Sequence, residues 1–279
     1  MEQVYYDSCY LAWGDMDLFY IVSGFAVGIL VGLTGVGGGS LMTPLLTLAF
    51  GVSPTVAVGT DLAFASITKV AGTFAHRFRG TVHWQIVKHL SFGALPAAVV
   101  ATLALKYFGA LDEQIGQVIR YSIAVSVMLT VVAIIYRRKM QSWMTAHPER
   151  QLQGTRLIAA TIISGAILGV LVTISSIGAG AIGATLLVLL YPRLSPAEIA
   201  GTDIAYAVPL TAIAALGHWW LGSINWPLLA MLLIGSVPGI TLGSLAARAV
   251  PEKFLRGLLA TVLTLVAAKL SGATTLFAF

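Results

Sequence analysis

The run Thr34-Gly-Val-Gly-Gly-Gly-Ser40 interrupts an apolar stretch that extends from Leu18 to Phe50. Consecutive glycines are poor helix formers, so the run breaks a helix and leaves backbone N–H and C=O groups without helical partners. Inside a bilayer such a break is tolerated only where it is buried in protein or lines a wet cavity. A second, weaker break stands at Ser175-Ser-Ile-Gly-Ala-Gly-Ala181. The apolar segments that follow the two breaks, Ser40–Phe50 and Ala181–Leu190, are too short to cross a membrane, which takes ~20 residues. Each break therefore reads as the tip of a re-entrant, broken-helix hairpin.

Composition places the whole chain in a membrane. Hydrophobic residues make up 58% and charged residues 10%, against about 25% charged in a soluble domain, and the mean hydropathy is +0.90. The apolar stretches suit helices, and the alternation of an outer-membrane barrel is absent. The resulting fold class is an all-α integral membrane protein. The acidic N-terminus (Glu2, Asp7, Asp15, Asp17) lacks the basic region of a cleaved signal peptide. Cys9 is the only cysteine, which excludes an intrachain disulfide and a thiolate metal cluster. The net charge of +5 comes from residues in inter-helix loops, where membrane topology requires them, so nucleic acid is not an expected partner. The expected partners are the lipid bilayer and a small anion, with a homodimer also open.

Further apolar segments run over Thr55–Ala75, Ile86–Tyr107, Val118–Tyr136, Leu157–Ile174, Ala197–Gly217, Trp226–Ala247 and Phe254–Lys269. Arg137, Arg138, Lys139, Arg150 and Arg156 make the connection between Tyr136 and Leu157 basic, hence cytoplasmic. With both hairpins re-entrant, twelve Lys and Arg fall inside and only Lys106, Arg120 and Lys269 outside. The organisation that follows is an extracytoplasmic segment 1–17, a first membrane repeat 18–136, a basic cytoplasmic loop 137–156 and a second repeat 157–279. Both termini lie outside, in the plasma membrane (the inner membrane in a bacterium). Each half is one hairpin plus three transmembrane helices, and an odd number of crossings inverts one half relative to the other.

The residues repeat accordingly. At a spacing of 141, Ser23, Gly24, Gly28, Gly37 and Gly39 match Ser164, Gly165, Gly169, Gly178 and Gly180. After a one-residue insertion the spacing is 142: Ser53-Pro54 matches Ser195-Pro196, and Gly59-Thr60-Asp61 matches Gly201-Thr202-Asp203. His76, Gly80, Trp84, Gly93 and Pro96 match His218, Gly222, Trp226, Gly235 and Pro238. Inverted repeats with paired interrupted helices are a transporter signature, with substrate bound near the midplane.

The glycine motif running into Ser40-Leu-Met-Thr-Pro44, then Ser53-Pro-Thr-Val-Ala-Val-Gly-Thr-Asp61, then His76-Arg-Phe-Arg-Gly-Thr-Val-His-Trp84 resembles the sulfite exporter TauE/SafE family of membrane transporters. The resemblance runs from about Gly24 to the last helix. It implies transport of a small sulfur-containing anion such as sulfite or an organosulfonate, coupled to an ion gradient.

The residues themselves point to an anion. Ser40 and Ala181 open short helices whose N-termini aim at the membrane interior, where free N–H groups and the positive helix end favour an oxoanion. Gly35, Gly37, Gly38 and Gly39, with Gly178 and Gly180 in the second break, allow close backbone approach. Thr34, Ser40, Ser175 and Ser176 add hydroxyl donors. Gly24, Gly28 and Gly32, and Gly235, Gly239 and Gly243, at four-residue spacing, instead suit helix packing. Lys69 is the one basic residue well inside a span and has Thr211 as its counterpart; it is the expected anion ligand, the alternative being a side chain that snorkels to the cytoplasmic surface. Asp61 and Asp203, with Thr60 and Thr202, either carry coupling protons or brace the broken helices. Because the glycine-rich first break shares its half with Lys69, most anion contacts are expected there. His76 and His218 are expected at the membrane interface. With no nucleophile–base pair and no metal-spaced cluster, neither an enzyme nor a cofactor is expected. The function expected is secondary transport of a small oxoanion by alternating access around the two facing breaks, coupled to protons and, as the resemblance implies, outward; a passive anion channel of the same architecture is the alternative.

Overall fold

A computed structural model describes residues 18–33, 39–78, 80–109 and 112–246, with positions 257, 260, 261, 263 and 264. Among these residues the chain is helical and has no strand. The helices are α1 (Leu18–Leu33), α2 (Gly39–Leu48), α3 (Pro54–Phe78), α4 (Trp84–Tyr107), α5 (Glu113–Ala146), α6 (Gly154–Ser175), α7 (Ala181–Leu190), α8 (Pro196–Trp220) and α9 (Trp226–Ala246). Five of them, α4, α5, α6, α8 and α9, are long and apolar enough to cross a membrane. The chain is a multi-pass membrane protein.

Local chemistry sets the boundaries. Ser195 caps α8 in a reciprocal box with Glu198, and Pro196 fills the first helical position, where a missing N–H costs nothing. α3 opens on Pro54, which follows Ser53 in the same way. α5 departs from expectation: it continues to Ala146, so Arg137–Lys139 lie on a helix and not in the loop expected from residue 137. Hydropathy ends at Tyr136, but Arg, Lys, Met and Gln are good helix formers and carry the helix on.

The helix bounds recur at 142 residues: α2 and α7, α3 and α8 begin and end at matching positions, and α4 and α9 begin at Trp84 and Trp226. The packing recurs as well. Gly24 and Gly28 of α1 lie on the backbone of Leu232 and Ser236 of α9, while Gly165 and Gly169 of α6 lie on Leu90 and Ala94 of α4. Gly235 and Gly239 answer from α9 onto Ile21 and Phe25, as Gly93 answers from α4 onto Ile162. Each of these glycines leaves no room for a Cβ, so the spaced glycines serve helix contact as expected. In both pairs residue numbers rise together, so the helices run parallel.

α3 and α8, which are counterparts, pack antiparallel. Gly59 near the start of α3 sits on His218 and Ser223 at the end of α8. The backbone N–H of Asn225, just before α9, donates to Thr60 Oγ1 at 3.0 Å, and that of His83, just before α4, donates to Thr202 Oγ1 at 3.1 Å. Each threonine thus satisfies a loop N–H of the opposite half. At one of these ends the His83 ring also pairs with Glu198 at 2.9 Å. The ends of each hairpin meet: Tyr20 and Phe50 stack edge-on with centroids 4.7 Å apart, and the Thr161 and Tyr191 hydroxyls are 2.8 Å apart.

Candidate functional site

The second break is built from its own side chains and three unusual backbone positions. α6 ends at Ser175, whose Oγ donates to Leu171 O at 2.7 Å and accepts from Ile177 N at 3.2 Å. That hydroxyl closes the turn. Ser176 turns the chain in the left-handed region (φ 58°), and its N–H bonds Val172 O at 2.8 Å. Gly178 (φ 141°) and Gly180 (φ 136°) hold conformations that side chains rarely adopt, so glycine is required at both. α7 then restarts at Ala181 with no side-chain cap on its N-terminus.

Lys69 reaches this break from the other half. Its Nζ donates to Ala179 O at 3.2 Å, and the residue is 8% exposed, so it is buried and does not snorkel. The Asp61 and Asp203 carboxylates both act on its charge through space. Lys69 of the first half thus touches the break of the second; residues 34–38 of the first break, where most anion contacts were expected, lie outside the described residues.

The two aspartates are both buried but held differently. Asp61 accepts a hydrogen bond from Thr43 Oγ1, which ties α3 to α2. The Ser176 hydroxyl of the second break also approaches this carboxylate, in a contact short of full hydrogen-bond geometry. Asp203 lies under the first turn of α7, where a Cβ at Gly183 would strike its Oδ1. That oxygen and the Tyr206 hydroxyl beside it, one helical turn further along α8, lack partners among the described residues. The charge of Arg137, half-buried on α5, also acts on Asp203. A buried polar atom left unpaired costs about 1–3 kcal/mol, and such atoms in a native fold call for an explanation. Here the Asp203 oxygen and the Tyr206 hydroxyl stand beside the first turn of α7, whose Gly183 N–H bonds Gly178 O at 2.8 Å, in a buried centre on which the Lys69 charge acts, an arrangement that can hold a small anion and exchange protons with it.

Other expected residues fall elsewhere. Thr34, Gly35, Gly37 and Gly38 lie outside the described residues; Gly39 opens α2, and the side chain of Ser40 is likewise outside them. His218 is fully buried, not interfacial: Nε2 meets Thr173 O at 2.9 Å and Nδ1 meets Ser223 Oγ at 2.8 Å, which anchors the end of α8 to α6 just before the break. The His76 side chain is outside the described residues. Sequence reasoning missed Thr43 and Tyr206. The available signal was a hydroxyl-bearing residue at helical spacing from a buried Asp: Tyr206 follows Asp203 by three.

The family model described as sulfite exporter TauE/SafE matches residues 20–270. The chain is 34% identical over 255 residues to the probable membrane transporter protein YjnA of Bacillus subtilis, covering 91% of this chain and 100% of the relative. It is 26% identical over 240 residues to the probable membrane transporter protein YdhB of Bacillus subtilis, covering 83% of this chain and 91% of the relative. A probable membrane transporter protein of Xylella fastidiosa is also 26% identical, over 231 residues that cover 81% of this chain and 83% of the relative. No solved structure matches.

Proposed function

We propose that this chain, which belongs to the sulfite exporter TauE/SafE family and is a membrane transporter, moves a small sulfur-containing oxoanion, sulfite or an organosulfonate, out of the cell. It works by alternating access around the two breaks, coupled to protons. The substrate class and direction come from the family description; the mechanism is argued from the residues. The single observation that carries the site is the Lys69 ammonium of one half resting on the Ala179 carbonyl of the other half's break. The ammonium and the α7 N-terminus hold the anion between the halves, as a rocking or gating mechanism needs.

The halves form an inverted-topology repeat. The antiparallel packing of the counterparts α3 and α8, and the meeting ends of each hairpin, support this arrangement. The first hairpin enters from outside and the second from the cytoplasm, the side of Arg137–Lys139. Thr60 and Thr202 act as braces between halves.

Liposomes reconstituted with the protein test the reading through flux of labelled sulfite and methanesulfonate, with and without a pH gradient. Saturable flux that responds to the gradient is expected. Absence of saturable flux for every small oxoanion sinks it, and flux that never saturates and ignores the gradient marks a channel. Lys69→Ala should lower anion affinity at least ~30-fold, the effect of truncating one partner of a buried charged contact; wild-type flux in a folded variant removes Lys69 from the site.

A further inference from the structure

The 142-residue repeat supplies an internal control, because each residue of the second half can be compared with its counterpart in the first. Around the two aspartates the halves part company. Thr43 bonds Asp61, whereas its counterpart Thr185 turns back to Ala181 O on its own helix at 2.8 Å. Leu41 stands where Gly183 opens the space that Asp203 Oδ1 fills. Phe64, apolar and fully buried, stands where Tyr206 brings a hydroxyl. Scaffold positions, such as Thr60 and Thr202, kept the symmetry; these positions did not.

The charges give the asymmetry a purpose. Lys69 of α3 and Arg137 of α5 balance two ionised carboxylates, so an arriving monoanion would leave the buried centre one negative charge in excess. Neutralising one carboxyl removes the excess and lets the anion meet the ammonium. Asp61 already engages one oxygen in the bond that holds α2. Among the described residues, Asp203 has an oxygen with no donor on it, beside a phenol that also lacks a partner and beneath the start of α7, which has no side-chain cap. The charged and titratable groups facing Asp203 are Lys69 on α3, Arg137 on α5 and Tyr206 on its own helix; α7 presents Gly183.

We propose that Asp203, and not its counterpart Asp61, takes up one proton from the aqueous phase as the anion seats, and that the Tyr206 hydroxyl donates to the bound anion. This rests on the oxoanion reading above. The bound centre then gains one anion and one proton together, so the loaded carrier moves no net charge relative to the empty one. Asp61 is left as a positioning residue that fixes α2 against α3.

Methanesulfonate is the probe, because its sulfonate does not titrate near neutrality and any proton taken up belongs to the protein. Purified protein in weakly buffered detergent is titrated with it while an indicator dye reports proton uptake. Wild type should take up one proton per anion bound; Asp203→Asn should bind without uptake. Uptake that persists in Asp203→Asn, or binding without uptake in wild type, overturns the proposal while leaving the oxoanion site standing. Failure of wild type to bind any small oxoanion overturns both. If Asp203→Asn does not fold, infrared difference spectra of wild type decide the matter: a carboxylic-acid C=O band must appear on anion addition, and its absence refutes the assignment. Tyr206→Phe should bind about tenfold more weakly with proton uptake kept. Unchanged affinity would show that the ring alone suffices, as Phe64 does in the first half, and would strike out that part.

Discussion

Gly183 carries no side chain because the Asp203 carboxylate occupies the place of its Cβ. A methyl there must push either the carboxylate or the first turn of α7, and overpacking of a filled interior costs about 1–3 kcal/mol. Gly183→Ala is therefore expected to fold yet lose at least ~tenfold in anion affinity, since the displaced group belongs to the site. Isothermal titration with methanesulfonate checks this, and affinity equal to wild type would show that Asp203 moves freely and is not positioned by α7. At this scale the sequence was partly readable. Lys69, Asp61 and Asp203 stood out because a charge inside an apolar span is conspicuous. Tyr206 did not, because an aromatic on an apolar helix reads as core or as lipid-facing until its hydroxyl is seen to lack a partner. His218 looked interfacial because it stands one residue before Trp219 at a helix end; its bonds to Thr173 and Ser223 are long-range or folded-back contacts that spacing does not reveal.

At the level of helices, the four-residue glycine spacing foretold close contact but not its partner. Core-facing and lipid-facing side chains are equally apolar, so periodicity cannot say which helix meets which. The structure pairs α1 with α9 and α4 with α6, each through backbone-to-backbone approach at glycine. Gly165→Leu should drive α4 and α6 apart and cost several kcal/mol, in the range of severe core overpacking. Gly116, on α5, has nothing within 4 Å of a Cβ; Gly116→Ala should raise stability by up to about 1 kcal/mol through helix propensity alone. Thermal unfolding in detergent measures both, and equal melting temperatures for the two variants would contradict the seam. The short helices α2 and α7 were legible because the apolar segments after the two breaks are too short to span. The extra turns of α5 were not, since hydropathy reports where lipid ends and not where hydrogen bonding does.

At the scale of the whole molecule, helix bounds recur at 142 residues among the described residues, and the way the halves meet bears on the proposed inversion. Thr60 and Thr202 each bond the loop of the other half at opposite ends of the antiparallel pair α3 and α8. The proposed inversion requires equivalent loops to stand on opposite faces of the membrane. Gly80 and Gly222 are such equivalents: both exposed, both with open space around them, and with φ of 66° and 71°. A cysteine placed at either suffers the same strain, about 1–2 kcal/mol, so differences in labelling report position and not distortion. In a Cys9→Ser background a membrane-impermeant maleimide applied to intact cells should label Gly222→Cys and leave Gly80→Cys untouched. In inside-out vesicles the pattern should reverse, because Gly80 lies between Arg77 and Lys88 on the side with the basic excess. Labelling of both from one side would mean that the halves repeat without inversion. The two breaks would then enter from the same face, and Lys69 could not stand between one cytoplasmic and one external hairpin.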